Sequence, residues 1–148
     1  MYFIQYNPLK EKLRSRTLSD REALPYMLVS SALVALTGTL AMTQQFNAWD
    51  GASCILSVGT SIAGVLYAYA KNGKNAGFDF IQKFIVLGWV VSCRCLLALI
   101  PLAVAVYAAA YFLNQATDET GWLDVVLIFC FELVLYQRIG RHIGDTTA

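Results

Sequence analysis

Apolar and polar residues are not interleaved in this chain. They separate into four long apolar runs divided by short polar connectors. The first run is Tyr26–Met42, YMLVSSALVALTGTLAM, and the second is Ser53–Ala70, SCILSVGTSIAGVLYAYA. The third, Phe84–Leu113, contains one charge, Arg94, and the fourth extends from Trp122 through Tyr136 to about residue 137. A helix that crosses a bilayer needs ~20 mostly apolar residues. The pattern predicts an all-α membrane protein with four transmembrane helices at about 26–42, 53–70, 84–113 and 122–137, a transmembrane domain over 22–148 behind a cytoplasmic basic head over 1–21. Just before the third run, Phe78, Phe80, Ile81, Phe84 and Ile85 share helical spacing with Asp79, Gln82 and Lys83. That spacing predicts a short interfacial helix. Ser19 and Glu22 stand at capping-box spacing, so helix one is expected to start there. Pro8 is expected to interrupt any earlier helix.

Charge then sets the orientation. Lys10, Lys12, Arg14, Arg16 and Arg21 precede the first run, Lys71, Lys74 and Lys83 separate the second from the third, and Arg138 and Arg141 follow the fourth. The connectors 43–52 and 114–121 contain neither Lys nor Arg. By the positive-inside rule both termini are cytoplasmic. Trp49 and Trp122 fall at the outer boundaries and Tyr26, Tyr67, Tyr69 and Tyr136 at the inner ones, as an aromatic belt requires. No small-residue cleavage site suits a signal peptide, so Met1 is expected to begin the mature chain. The composition agrees. At 57% apolar and 14% charged, the chain has too few charges to cover a soluble enzyme. A net charge of +1 gives no bulk field to recruit nucleic acid.

Candidate chemistry lies mostly inside the runs. An ionisable residue within a span is costly, about 2.5–3.5 kcal/mol, and faces protein or water. Arg94 and Glu132 are expected at matching depth on antiparallel spans, hence as an intramembrane ion pair within or between subunits. The pair serves either as a packing clamp or as part of a gated conduit. Thr37, Thr39, Ser57, Thr60 and Ser61 form small-residue and hydroxyl patterns that suit close helix packing or pore lining. Asp50, Asp118, Glu119 and Asp124 are expected outside. A ring of subunits would multiply them into an acidic collar, while the bland account is that acids remain where bases are excluded. Pro101 is expected to bend span three, as a hinge or a static kink. Lys10, Lys12, Arg14, Arg16, Lys71 and Lys74 form the cytoplasmic surface for lipid headgroups or a partner protein.

Catalytic signals are missing from the sequence. His142 is the only histidine, so no hydrolase triad assembles around it. Cys54, Cys93, Cys95 and Cys130 all fall in the runs without metal-ligand spacing. No cofactor, metal or direct nucleic-acid contact is expected, and the chain is not expected to be an enzyme.

The order of Leu18-Ser19-Asp20-Arg21-Glu22-Ala23, then Asn72-Gly73 with Asp79-Phe80-Ile81, then Gly88-Trp89 and Arg94 resembles small four-span bacterial membrane proteins. Among these are effectors of anti-phage defence in which a cytosolic partner restrains a tetrameric channel. The resemblance implies an inner-membrane homo-oligomer gated from the cytoplasm, and it assigns no residue roles. Four helices in one subunit fill their own centre, so conduction needs oligomerisation. The first expectation is therefore an oligomeric ion channel or pore-forming effector. The alternatives are a membrane anchor or adaptor for a cytosolic partner, and a small proton-coupled transporter that uses Glu132.

Overall fold

The computed structural model describes residues 6–18, 22–24, 26–30, 32, 46–74, 78–112 and 120–146. All regular structure among them is helical. The labelled helices are α1 (Tyr6–Arg14), α2 (Ala48–Lys71), α3 (Phe80–Phe112) and α4 (Trp122–Gly144). Residues 22–24, 26–30 and 32 are helical as well. The expected helix-one cap at Ser19 and most of the first apolar run, Thr37 and Thr39 included, lie outside the described residues, as do Asp118 and Glu119.

Among the described residues, two helices are long and apolar enough to cross a membrane: α2, with 24 residues, and α3, with 33. At ~1.5 Å per residue, α3 is about 50 Å long, well beyond the ~30 Å of a hydrocarbon core. A span by this helix would leave turns outside the hydrocarbon core or require a tilt. The separate interfacial helix expected ahead of the third run is instead the start of α3, which continues unbroken from Phe80 through Pro101 to Phe112. No loop residue intervenes to end a helix there, because Gln82 and Lys83 are helix-compatible. Pro101 withdraws one bond from the Leu97 carbonyl, and the helix carries on beyond it. α4 carries Asp124, Glu132, Arg138 and Arg141 along its length and is the least apolar of the three.

Packing sets the directions of the helices. At one end the Asn47 side chain donates to the Thr120 carbonyl at 3.0 Å. At the other, Gly144 lies against Lys71. So α2 and α4 run parallel, and α3 returns between their ends. The Trp49 and Trp122 ends lie together, and the basic residues Lys10, Lys71, Lys83 and Arg141 gather at the opposite end. The charge segregation expected from sequence is thus present in three dimensions.

Contact between α2 and α4 depends on two glycines. A Cβ on Gly64 would overlap the Tyr136 ring, and a Cβ on Gly140 would overlap the Tyr67 ring. Each helix contributes one glycine and one tyrosine, so the two rings lie across opposing backbones. The Tyr136 hydroxyl also donates to Ser61 Oγ at 3.0 Å. Tyr67 and Tyr136, expected as rim residues at headgroup level, also make contacts between helices. Tyr69 packs edge-on against Phe80, and Tyr26 is buried.

Val125 is buried near the start of α4, and the main buried cluster lies at the basic end. Leu9, Leu13, Ala68, Val86, Leu87, Val90, Val91, Ile139 and Ile143 form it together with Tyr26. Residues 6–14, expected to be polar head without regular structure, thus form a helix that inserts Leu9 and Leu13 into the same core. Pro8 sits in the first turn of α1, where its missing N–H has no helical partner to lose. Leu9→Ala is expected to lower stability by about 2–5 kcal/mol, measured as a lower denaturation midpoint of the purified protein. Away from this end the apolar surface is open. The apolar windows of α2 and α3 are 17% and 0% buried, and Ile55, Ile62, Leu66, Leu97, Ile100 and Val104 are all exposed.

Candidate functional site

Three segments meet at the basic end: α1, the corner between α2 and α3, and the residues after α4. The corner starts at Asn72 and turns at Gly73, whose φ of 83° lies where a side chain would be strained. Asn72 is buried. Its amide donates to the Phe78 carbonyl at 3.2 Å, and its Oδ1 accepts from Lys83 Nζ at 3.1 Å. Lys83 is fully buried and also donates to the Thr146 carbonyl at 3.4 Å. Its ammonium stands 3.7 Å from the Phe78 ring centre, and the Arg16 guanidinium stands 3.8 Å from the same ring. One aromatic ring therefore lies between two cations, an attraction that strengthens when water is excluded. Burial holds the Lys83 amine below its ordinary range, Asp79 opposes that, and Arg16 reinforces it.

The tail is fastened from the other side. Lys10 pairs with Asp145 at 2.7 Å, and His142 approaches the same carboxylate at 3.7 Å. The Lys10 hydrogen bond holds Asp145 below the usual carboxylate range against the opposing effect of burial. His142 is held below its ordinary value first by burial and then by Lys10; Asp145 pulls the other way, while Arg138 and Arg141 add to the lowering. Both shifts have the same consequence. An unfolded His142 binds a proton more readily than the folded one, and so does an unfolded Asp145, so folding is favoured as pH rises through each window. Acidification from pH 7 through 6.5 is expected to loosen the tail, with a second loss at pH values below the ordinary aspartate value of 3.8. Hydrogen exchange of residues 139–146 checks this, and His142→Gln should remove the first step only.

Of the other cytoplasmic candidates, Lys12 pairs with Glu22 at 2.6 Å, and Lys71 lies 5.6 Å from the Tyr67 ring centre. Arg14 and Lys74 are exposed. The basic residues are thus divided between internal fastenings and free surface. Lys83, which holds three segments together, was not among the sequence candidates; its signal was a single charge set among Phe80, Ile81, Phe84 and Ile85.

At the opposite end, Asp50 and Asp124 act as helix caps. Asp50 accepts from the Asn47 N–H at 2.9 Å while Asn47 caps α2 in return. The backbone Asn47 bond and the Thr120 side chain hold Asp50 low, against a smaller opposing effect of burial. Asp124 accepts from the Gly121 N–H at 2.8 Å and from the Tyr107 hydroxyl. Both acids sit at positive helix ends, a sufficient reason for their positions.

Within the apolar runs, Thr60 Oγ donates to its own helix at the Leu56 carbonyl, 2.8 Å away. Ser61 bonds Tyr136, and Ser57 is half-buried. Arg94 and Glu132 occupy different surroundings within one chain. Glu132 lies on the α4 face that carries Val125, Tyr136 and Ile139, and its Oε2 is buried without a hydrogen-bond partner among the described residues. Arg94 lines a groove between α3 and α4 with Phe131, Val134 and Arg138. The four cysteines carry free thiols, and the described residues contain no cluster suited to a metal. No protein-family model, curated protein or solved structure matches the chain.

Proposed function

We propose that the chain is a multi-pass inner-membrane protein with both termini cytoplasmic, and that it assembles as a closed homo-oligomer that conducts ions. Its gate is the fastening of α1, the Asn72–Lys83 corner and the tail, accessible to a cytosolic partner. The observation that carries this reading is the distribution of burial. A soluble protein buries its apolar helices, whereas here the apolar windows of α2 and α3 are 17% and 0% buried and the main buried cluster lies at the basic end. Lipid and neighbouring subunits are the surroundings that suit such surfaces. Particle mass and symmetry of the detergent-purified chain test the assembly: the reading expects a ring with a central axis, and a monomer counts against it.

A second reading rests on Glu132. A buried carboxyl oxygen with no hydrogen-bond partner among the described residues is a natural place for a coupling proton or cation. If the protein is a proton-coupled transporter, Glu132→Gln is expected to abolish exchange in vesicles and leave assembly intact. Exchange that persists in that variant would reject this second reading.

A further inference from the structure

We propose that the groove between α3 and α4 binds one anionic phospholipid, with its headgroup on Arg94 and Arg138 and an acyl chain along the groove. The groove holds about 610 Å³. Its inner end carries Arg94, Arg138 and His142, and its walls continue as Ala98, Leu99, Leu102, Leu127, Phe131 and Val134. Both charged residues in this lining are guanidinium groups, and everything toward the outer end is apolar or thiol. The two helices run antiparallel, so the charged positions meet at one end. From Arg94 to Leu102 the apolar wall rises ~12 Å, and from Arg138 to Leu127 it rises ~16 Å. A phospholipid has that same polarity, with a compact anion at one end and hydrocarbon beyond.

Charge complementarity selects this occupant over a second copy of the chain. An apolar helix face seated in the groove would cover the exposed Arg138 guanidinium and offer it no acceptor. A phosphate diester accepts bidentate hydrogen bonds from arginine, and its depth matches side chains that reach toward the headgroup level. Basic clefts between membrane helices on the cytoplasmic side are suited to anionic headgroups. The groove also opens laterally: Arg94, Ala98, Leu102, Cys130, Val134 and Arg138 are exposed on the chain's surface, so lipid reaches it without passing through the bundle. The proposal rests on the chain lying in a bilayer and is independent of whether it conducts.

Native mass spectrometry of the full chain, purified in detergent and stripped of lipid, tests this. Phosphatidylglycerol, phosphatidylcholine and inorganic phosphate are added separately to the unaltered chain and to Arg94→Gln, Arg138→Gln and Lys71→Gln. The expected result is one phosphatidylglycerol retained per subunit under conditions that remove phosphatidylcholine. Occupancy should fall about fivefold in each arginine variant and stay unchanged in Lys71→Gln, which lies off the groove. Because Arg138 is exposed, its variant remains informative should Arg94→Gln fail to fold. Equal retention of both lipids, retention unaffected by Arg138→Gln, adducts with inorganic phosphate alone, or a dimer that Arg138→Gln dissociates would each overturn the proposal. A chain that stays in the supernatant when membranes are sedimented would instead refute the membrane reading beneath it.

Discussion

Gly64→Leu is expected to force α2 and α4 apart and to lower the melting temperature of the purified protein by about 10 °C, following from ~3 kcal/mol of overpacking at this chain length. The reason is local. Even the first carbon of a side chain at Gly64 would overlap the Tyr136 ring. That ring is held by its hydroxyl bond to Ser61, so its retreat would stretch or break that bond. Gly140→Leu should act similarly through Tyr67. Gly59 is the control, because a Cβ there meets nothing within 4 Å. Gly59→Ala should be neutral or stabilising by up to ~1 kcal/mol, since alanine is the better helix former. Two glycines on one helix, five positions apart in the sequence, are thus expected to respond with opposite sign. Pairing Gly64→Ala with Tyr136→Ala should cost less than the sum of the single changes. Additive losses would mean that the ring and the glycine do not share the contact.

Lys83→Ala is expected to destabilise the basic end by about 3 kcal/mol, the scale for removing a buried, charge-assisted hydrogen-bond donor. It withdraws the donor from Asn72 Oδ1 and from the Thr146 carbonyl and takes the cation from the Phe78 ring. Lys83→Met keeps most of the packing and should cost less. The pH dependence has a definite sign. The folded amine is held below the unfolded value of 10.5, so the unfolded chain binds more protons between the two values, and stability contributed by this site rises with pH across that window. Lys83→Met should lose this rise. Denaturation midpoints of both proteins from neutral to alkaline pH measure it, and an identical profile for the two would mean that burial does not hold the Lys83 amine low.

Much of the helical layout was legible in advance because it rests on long-range composition. The second apolar run, 53–70, falls within α2, the third is helical in α3 from Phe84 as far as Phe112, and the described bases Lys10, Lys71, Lys83 and Arg141 gather at one end. What escaped were short-range contacts between distant segments. Leu9 and Leu13 lie only four apart among charges, too sparse a stripe to reveal that α1 is buried. Gly64 and Gly140 look ordinary in isolation, and only the parallel register of α2 and α4 sets each against a tyrosine. Asp50 and Asp124 resemble an outer acidic surface until the helix starts at Ala48 and Trp122 place them as caps. Arg94 and Glu132 were read from depth alone, and that Glu132 shares a face of α4 with Tyr136 and Ile139 depends on the 3.6-residue period along that helix.

The gate and the conduit are best tested together by ion flux into vesicles containing the purified full chain, with the unaltered protein beside Leu13→Asp. Leu13 is buried between α1 and the core, and a carboxylate there should release α1 while leaving the apolar surfaces of α2 and α3 in place. The account predicts slow flux for the unaltered chain and flux faster by an order of magnitude or more for Leu13→Asp. Vesicles in which both proteins are inserted and folded, yet neither passes ions, would contradict it.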